Sequence, residues 1–384
     1  MQRYSEAEGS PTLPHTPGII QKYIEETLAT VLEELSTSDG RPSISLRRRS
    51  KKPTLLINPM NGALEGNGPE SRLIYSWPGK SAYEAWKFTV IFRVLAAIAE
   101  NLHIGLVVSR RDIYYSDPNL FGTQKVVDDI VDDVAYTVGL DRSALNVEAA
   151  AKGLVVGSYQ LKTSSGHVID TQTSAIDTLV PSLQDIDEIT ISDSNWVLVV
   201  EKEAVYRRLV RLGYYTKALA GKGILITGKG YPDLSTRAFL RKLNESGSRS
   251  NKNLPFYALV DSDPDGMAIM STYKYGSMAH TSENGRLNIP CLQWLGVRTS
   301  EVVAGALHND NEDEASMSLT ARDRKKIVAM LCNSPVWAVE GPEPEWRAEL
   351  LLMLMLNLKA EIEILYDRKD GLERWIDQKM AGHS

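Results

Sequence analysis

Two apolar runs of this chain end on acids. Glu201 closes the run WVLVV in the segment VLVVEKEAVYRRL, and Asp261, Asp263 and Asp265 follow FYALV in ALVDSDPDG. Three or four carboxylates brought to one sheet edge repel each other unless a hard cation lies between them, and oxygen-only ligands of this kind suit Mg²⁺. A single Asp in a loop is ordinarily an Asx turn or a helix cap. Asp-x-Asp after one buried run and Glu after another is what favours the metal. Glu203 reads instead as a solvated carboxylate at a helix start.

A second constellation is SRRDIYYSD, Ser109 to Asp117. Ser109 and Asp112 have the spacing of a capping box, which predicts a short helical turn over Arg110 to Tyr115. Arg111 and Tyr115 then share a face as i, i+4 neighbours. A phenol is a poor nucleophile near neutral pH, and a nearby guanidinium favours the phenolate and also holds a phosphate. The plainer reading is a pair of packing tyrosines with polar tips. A third segment, ITGKGYPDLSTRAFLRKL, resembles a P-loop superficially. However, Gly228-Lys229-Gly230 is followed by Tyr231-Pro232, so the Gly-Lys-Ser/Thr of Walker A is missing. Its glycines permit a tight turn after a strand, and Lys229, Arg237 and Arg241 place positive charge near the expected carboxylates.

The elements that must position these residues follow from the 384-residue length, which suggests two domains, and from 43% hydrophobic and 24% charged residues, which suit a packed core. The net charge of −6 lacks the global excess of many nucleic-acid binders, so any DNA contact has to be locally basic. Two cysteines, Cys291 and Cys332, exclude a disulfide framework and a Cys/His zinc site. The apolar run Leu350 to Leu358 is too short to span a membrane and reads as a buried helix. No secretory signal precedes residue 18, so a reducing compartment is expected.

Residues 1–52 read as a flexible region carrying one amphipathic helix, Gly18 to Leu35. That helix is expected to dock on a partner protein or a second protomer rather than on its own chain. Arg41 to Lys52 holds six basic residues and no acid, which reads as a solvated linker or as an import or DNA-contacting patch. Helices are expected over Ser81–Asn101, which is apolar on nearly every side, Thr123–Leu140 and Asp141–Lys152, then a hairpin around Ser164-Ser165-Gly166. Helices followed by a hairpin are the order of a winged-helix domain, here 53–180. Asp170 to Ile189 is the linker candidate. Four apolar runs, Trp196–Val200, Gly223–Thr227, Phe256–Asp261 and Ile289–Val297, then predict a parallel α/β sheet over 190–384 with its site at the carboxyl ends of the strands.

SRRDIYYSDPNLFGTQ, KGLVVG (Lys152 to Gly157), VVEKEAVYRRL, TGKGYPDLSTR and VDSDPDG, in this order, resemble the meiotic recombination protein that makes programmed double-strand breaks, sporulation protein eleven, a relative of the archaeal topoisomerase VI A subunit. The resemblance runs from about Leu73 to Leu365. The region before Leu73 and the acidic segment His308 to Glu314 match no element of that family.

The resemblance implies a winged-helix domain followed by a Toprim domain, an α/β and α+β chain in a nucleus. It puts the nucleophile on Tyr115, with Arg111 beside it and a packing role for Tyr114, and the Mg²⁺ ligands on Glu201, Asp261 and Asp263. It also implies a site composed from two protomers, double-stranded DNA as substrate, a topoisomerase VI B-like subunit, meiotic accessory proteins and no membrane. DNA contacts are expected from Arg110, Lys152, Lys229, Arg237 and Arg241. Two alternatives remain: the A subunit of a type IIB topoisomerase, and a scaffold of the same fold that binds DNA without cutting. A nucleotide-binding Rossmann-like protein is excluded because no GxGxxG follows a strand.

Overall fold

The computed structural model describes residues 16–37, 40–50, 53–140, 142–148, 151–171, 177–183, 186–191, 193–249, 252, 254–278, 281, 283–306, 316–366 and 371–382. The chain divides into two units: Met1–Pro53 with Gly68–Ala149, and Thr54–Asn67 with Ala150–Ser384.

The first unit contains α1 (Thr16–Ser36) and β1 (Ser43–Arg48); the chain then leaves it for β2 (Thr54–Ile57) and β3 (Leu64–Asn67) of the second unit. It returns with β4 (Ser71–Ser76), α2 (Ala82–Ile104), β5 (Val108–Ser109), α3 (Arg110–Ser116), α4 (Pro118–Phe121), α5 (Gln124–Val138) and β6 (Val147–Glu148). Local chemistry sets the ends of the central helix. The Ser81 side chain accepts the Glu84 N–H at its start, and Gly105, at φ 68°, closes it in the left-handed region. Val90, Ile91, Val94 and Ile98 of α2 meet Val127, Ile130 and Val134 of α5 in one apolar cluster that also holds Ile113 of α3. α2 is not buried all round: Tyr83 and Phe92 stay exposed.

Three further expectations change in this unit. The N-terminal helix packs on its own domain, since Ile20 and Val31 are buried in the α2/α5 cluster and Glu34 Oε2 accepts the Ser43 N–H at 2.7 Å. The basic run is no linker: Ser43–Arg48 is β1, antiparallel to β4, because Ile44 and Leu46 alternate inward. Its arginines face acids, Arg47 against Glu70 at 2.7 Å and Arg48 against Asp133 at 3.6 Å; Lys51 and Lys52 lie outside the described residues. The expected helix over 141–152 is instead a 3-10 turn, Arg142–Leu145, followed by β6. Asn146 takes φ 53°, which breaks the helix and turns Val147 into parallel pairing with Val108.

The second unit centres on a six-stranded sheet ordered β10-β7-β13-β12-β14-β15. These strands are β7 (Leu154–Gly157), β10 (Thr178–Leu179), β12 (Val197–Val200), β13 (Ile224–Thr227), β14 (Phe256–Leu259) and β15 (Leu292–Gly296). β13, β12, β14 and β15 are parallel, as continuous apolar runs require when helices cover both faces. Those helices are α6 (Glu203–Arg211), α7 (Tyr214–Lys217), α8 (Leu234–Arg249), α9 (Pro264–Lys274), α10 (Asn284–Leu287), α11 (Thr299–Ala306), α12 (Ala321–Asn333), α13 (Pro344–Leu356) and α14 (Gly371–Gly382). A three-stranded sheet of β8 (Gln160–Thr163), β9 (Val168–Asp170) and β11 (Ile186–Thr190) and a short pair, β16 (Ser316–Ser318) with β17 (Leu358–Ala360), complete it.

The sheet is therefore mixed, because β7 and β10 are antiparallel to their neighbours. The first domain does not extend to residue 180. β7 pairs with β13 and the β8–β9 hairpin pairs with β11, so the expected wing belongs to the second unit, as do the described parts of the expected linker 170–189. The β2–β3 hairpin belongs there too: the Leu64 N–H donates to Tyr275 O at 2.7 Å, and Asn284 Nδ2 donates to Leu64 O at 2.7 Å. The expected buried helix at 350–358 is one-sided, with Leu350 and Met353 buried but Met355 81% exposed. The acidic segment 308–314 lies outside the described residues.

Candidate active site

In the first unit the capping box forms as the spacing predicts. Ser109 Oγ accepts the Asp112 N–H at 3.1 Å, and Asp112 Oδ2 accepts the Ser109 N–H at 2.8 Å. The box fixes the start of α3, and Ile113 anchors the helix in the core. Tyr115 is left 69% exposed, while Tyr114 packs partly on the core with its ring centroid 5.2 Å from that of Tyr115. Arg111 is also exposed, and among the described residues it makes no ion pair and Tyr115 Oη makes no hydrogen bond. Hence an accessible phenol and an unpaired guanidinium stand one helical turn apart.

In the second unit Glu201 leaves the end of β12 and Asp261 and Asp263 follow β14, its parallel neighbour. Glu201 Oε2 accepts the Asp261 N–H at 2.9 Å. Asp261 Oδ1 accepts the Ile362 N–H at 2.8 Å, and Asp263 Oδ1 accepts the Gly266 N–H at 2.7 Å, capping α9. Room for this comes from Gly266, where a Cβ would stand 2.4 Å from Asp261 O and 3.0 Å from Glu201 Oε2. Glu201 and Asp261 are only 8% and 7% exposed. Burial, with the Asp261 charge adding to it, pushes the Glu201 carboxyl up to about 8. Burial likewise raises Asp261 to about 6, against the pull of the Ile362 N–H and Lys202, and raises Asp263.

Among the described residues no three His, Cys, Asp or Glu side chains already converge as a metal cage. The donor set nevertheless fits a hard divalent cation. All its donors are carboxylate oxygens, and their ionised forms are disfavoured by burial and by each other, a penalty that a cation removes.

The Toprim-domain family of Spo11 and the topoisomerase 6 A subunit matches residues 196–380, and the family described as type IIB DNA topoisomerase matches residues 86–147. The chain is 36% identical over 369 residues to the meiotic recombination protein rec12 of Schizosaccharomyces pombe, covering 94% of both chains. It is 32% identical to the human meiotic recombination protein SPO11, covering 89% of this chain and 82% of that one. Against the A subunit of DNA topoisomerase 6 from Arabidopsis thaliana it is 31% identical, covering 90% and 76%. The chain belongs to the family of Spo11 and the topoisomerase 6 A subunit.

The basic residues expected to line this family member's DNA path divide sharply. Lys152 is exposed, and its Nζ donates to Lys229 O at 3.3 Å, so these two lysines lie together. Lys229, at φ 53°, sits in a loop fastened to the end of β12: the Gly230 N–H donates to Glu201 O at 3.0 Å. Lys229 Nζ also meets Glu203 at 3.3 Å. Arg237 is not available to DNA, being 1% exposed and bound to Asn284 Oδ1 at 3.1 Å. Arg241 is held by Glu245 at 2.9 Å and by Asn288 O at 3.0 Å, and Arg110 faces Asp128 at 3.4 Å. On α8, then, Arg237 and Arg241 are held by contacts within the chain.

Sequence reasoning missed Lys202 and Ile362, both of which touch Asp261. The EKE triplet around Lys202 was a readable signal; Ile362 contributes only a backbone N–H from a distant segment and left none.

Proposed function

We propose that this chain is a topoisomerase-like transesterase that makes meiotic DNA double-strand breaks. The observation that carries the proposal is the exposed Tyr115 phenol one turn from the unpaired Arg111, in a chain that matches rec12 over 94% of its length. Tyr115 Oη attacks a backbone phosphorus and loses its proton. The bond to the 3′ oxygen breaks, and that oxygen takes a proton and leaves as a 3′ hydroxyl. A 5′-phosphotyrosyl link forms, so no bond energy is lost to hydrolysis. Arg111 holds the phosphate that Tyr115 attacks. Glu201, Asp261 and Asp263 would hold Mg²⁺, which supplies positive charge for the phosphoryl oxygens.

The reading further assigns a winged-helix role to the first unit, double-stranded DNA as substrate and a nuclear location. A second copy of the chain completes each site, and meiotic accessory proteins together with a topoisomerase VI B-like subunit complete the assembly. A non-cutting scaffold is disfavoured because both chemical centres are intact. Among the described residues no helix is long and apolar enough to cross a membrane.

The test is covalent capture. Protein, Mg²⁺ and bent duplex DNA are mixed, denatured and examined for DNA linked to protein. Adducts are expected with wild type and Tyr114→Phe and none with Tyr115→Phe; adducts surviving Tyr115→Phe would refute the assignment.

A further inference from the structure

Lys202 directly follows Glu201 and lies at the start of α6, and its ammonium stands among three acids. Nζ is 3.2 Å from Asp261 Oδ2, 3.1 Å from Glu361 Oε2 and 2.7 Å from Glu363 Oε2. The Lys202 and Asp261 side chains are 23% and 9% exposed, whereas Glu361 is 53% exposed. Ile362, between the two glutamates, gives its N–H to the other Asp261 oxygen at 2.8 Å. Both oxygens of Asp261 are therefore engaged from within the chain, one of them by a full positive charge.

We propose that Lys202 is a built-in counter-cation of the carboxylate pocket: a divalent ion must take Asp261 Oδ2 from the ammonium, which is then retained by Glu361 and Glu363. The inference rests on the reading of Glu201, Asp261 and Asp263 as the metal pocket. A charge this close to a metal ligand both repels an entering cation and competes for its oxygen. Glu361 and Glu363 make the exchange feasible, because without them an ammonium displaced from Asp261 would lose its remaining ion pairs. Lys202 is on this view a positioning residue that keeps Asp261 ordered and neutralised before the metal arrives. A strut that only ties residues 361–363 to β12 would leave metal affinity unaffected.

Isothermal titration of Mg²⁺ into the full-length protein at alkaline pH separates these roles. Lys202→Met should bind Mg²⁺ about tenfold more tightly than wild type, a change of about 1.4 kcal/mol. Lys202→Arg, which keeps the charge, should stay within about threefold of wild type. Glu361→Gln combined with Glu363→Gln should weaken binding several-fold while Lys202 is present, and by less than about twofold in the Lys202→Met background. Asp261→Asn is the control for the pocket. If it binds Mg²⁺ as wild type does, or if wild type binds none, the pocket reading falls and this inference with it. If Asp261→Asn abolishes binding but Lys202→Met does not tighten it, the counter-cation role alone is overturned. Should Lys202→Met fail to fold, Lys202→Arg together with the paired glutamate changes still decides: unchanged affinity after removing both glutamates overturns the proposal.

Discussion

Glu201 should make the metal-free protein lose stability as pH rises, and Glu201→Gln should remove that loss. The carboxyl is 8% exposed, and its value stands at about 8 against an ordinary 4.5, through burial first and the Asp261 charge second. A carboxyl raised on folding binds its proton more tightly in the folded than in the unfolded chain. Stability therefore falls as pH climbs through the interval between those two values and levels off above the upper one. A rise of this size corresponds to on the order of 3–5 kcal/mol between the two charge states, an upper range because Asp261 titrates in the same pocket. The amide keeps an oxygen able to accept the Asp261 N–H, so the local geometry has a reason to persist. Urea unfolding in chelator, from about pH 5 to about pH 9.5, should show wild type weakening relative to Glu201→Gln by about 2 kcal/mol or more. Saturating Mg²⁺ should narrow the gap at the alkaline end. A stability difference that stays flat across this range would refute the burial argument, whatever its absolute size.

Other expectations follow from the same geometry. Lys152→Ala should lower the slope of log affinity against log salt by about 0.9, measured by DNA binding at several ionic strengths, since an exposed phosphate contact releases roughly that many counterions. Arg237→Met should leave that slope alone and destabilise the second unit by about 1–3 kcal/mol in urea unfolding, because it removes a buried hydrogen bond to Asn284 Oδ1. Gly266→Ala should destabilise by about 1–3 kcal/mol and weaken Mg²⁺ binding, since its new methyl stands against Asp261 O and Glu201 Oε2; unchanged calorimetric affinity would contradict this placement.

The positions of the candidate residues were legible because each stands at the end of a strong local pattern. Glu201 and Asp261 each terminate a run of fully buried residues, and Ser109 with Asp112 formed its capping box at the expected spacing. What failed was pairing between distant segments. The run LVVG reads as a strand in either unit, and only its antiparallel register with Ile224–Thr227 places it in the second sheet. Likewise Arg47 and Arg48 read as free charge until Glu70 and Asp133 are known to face them. Arg237 misled for the same reason: a helix has a wet and a dry side, and Leu240 and Leu243, both buried, mark the dry side on which Arg237 also lies.

If Tyr115 is the nucleophile proposed above, the distribution of the parts bears on how it is kept harmless. α3 supplies Tyr115 with a guanidinium on the same face but, among the described residues, with no carboxylate or imidazole hydrogen-bonded to its oxygen. A phenol without such a base attacks phosphate poorly at neutral pH. In the second unit each of the three carboxylates accepts a backbone N–H, and Lys202 and the Ile362 N–H occupy Asp261. Each unit is thus internally settled and chemically incomplete. On the proposed reading, the phosphate of bound DNA is what draws Arg111 and Tyr115 into use, and metal entry is what displaces Lys202 from Asp261. Reaction then requires substrate and cation together, so loss of either should return the chain to an inert state without any change in its fold.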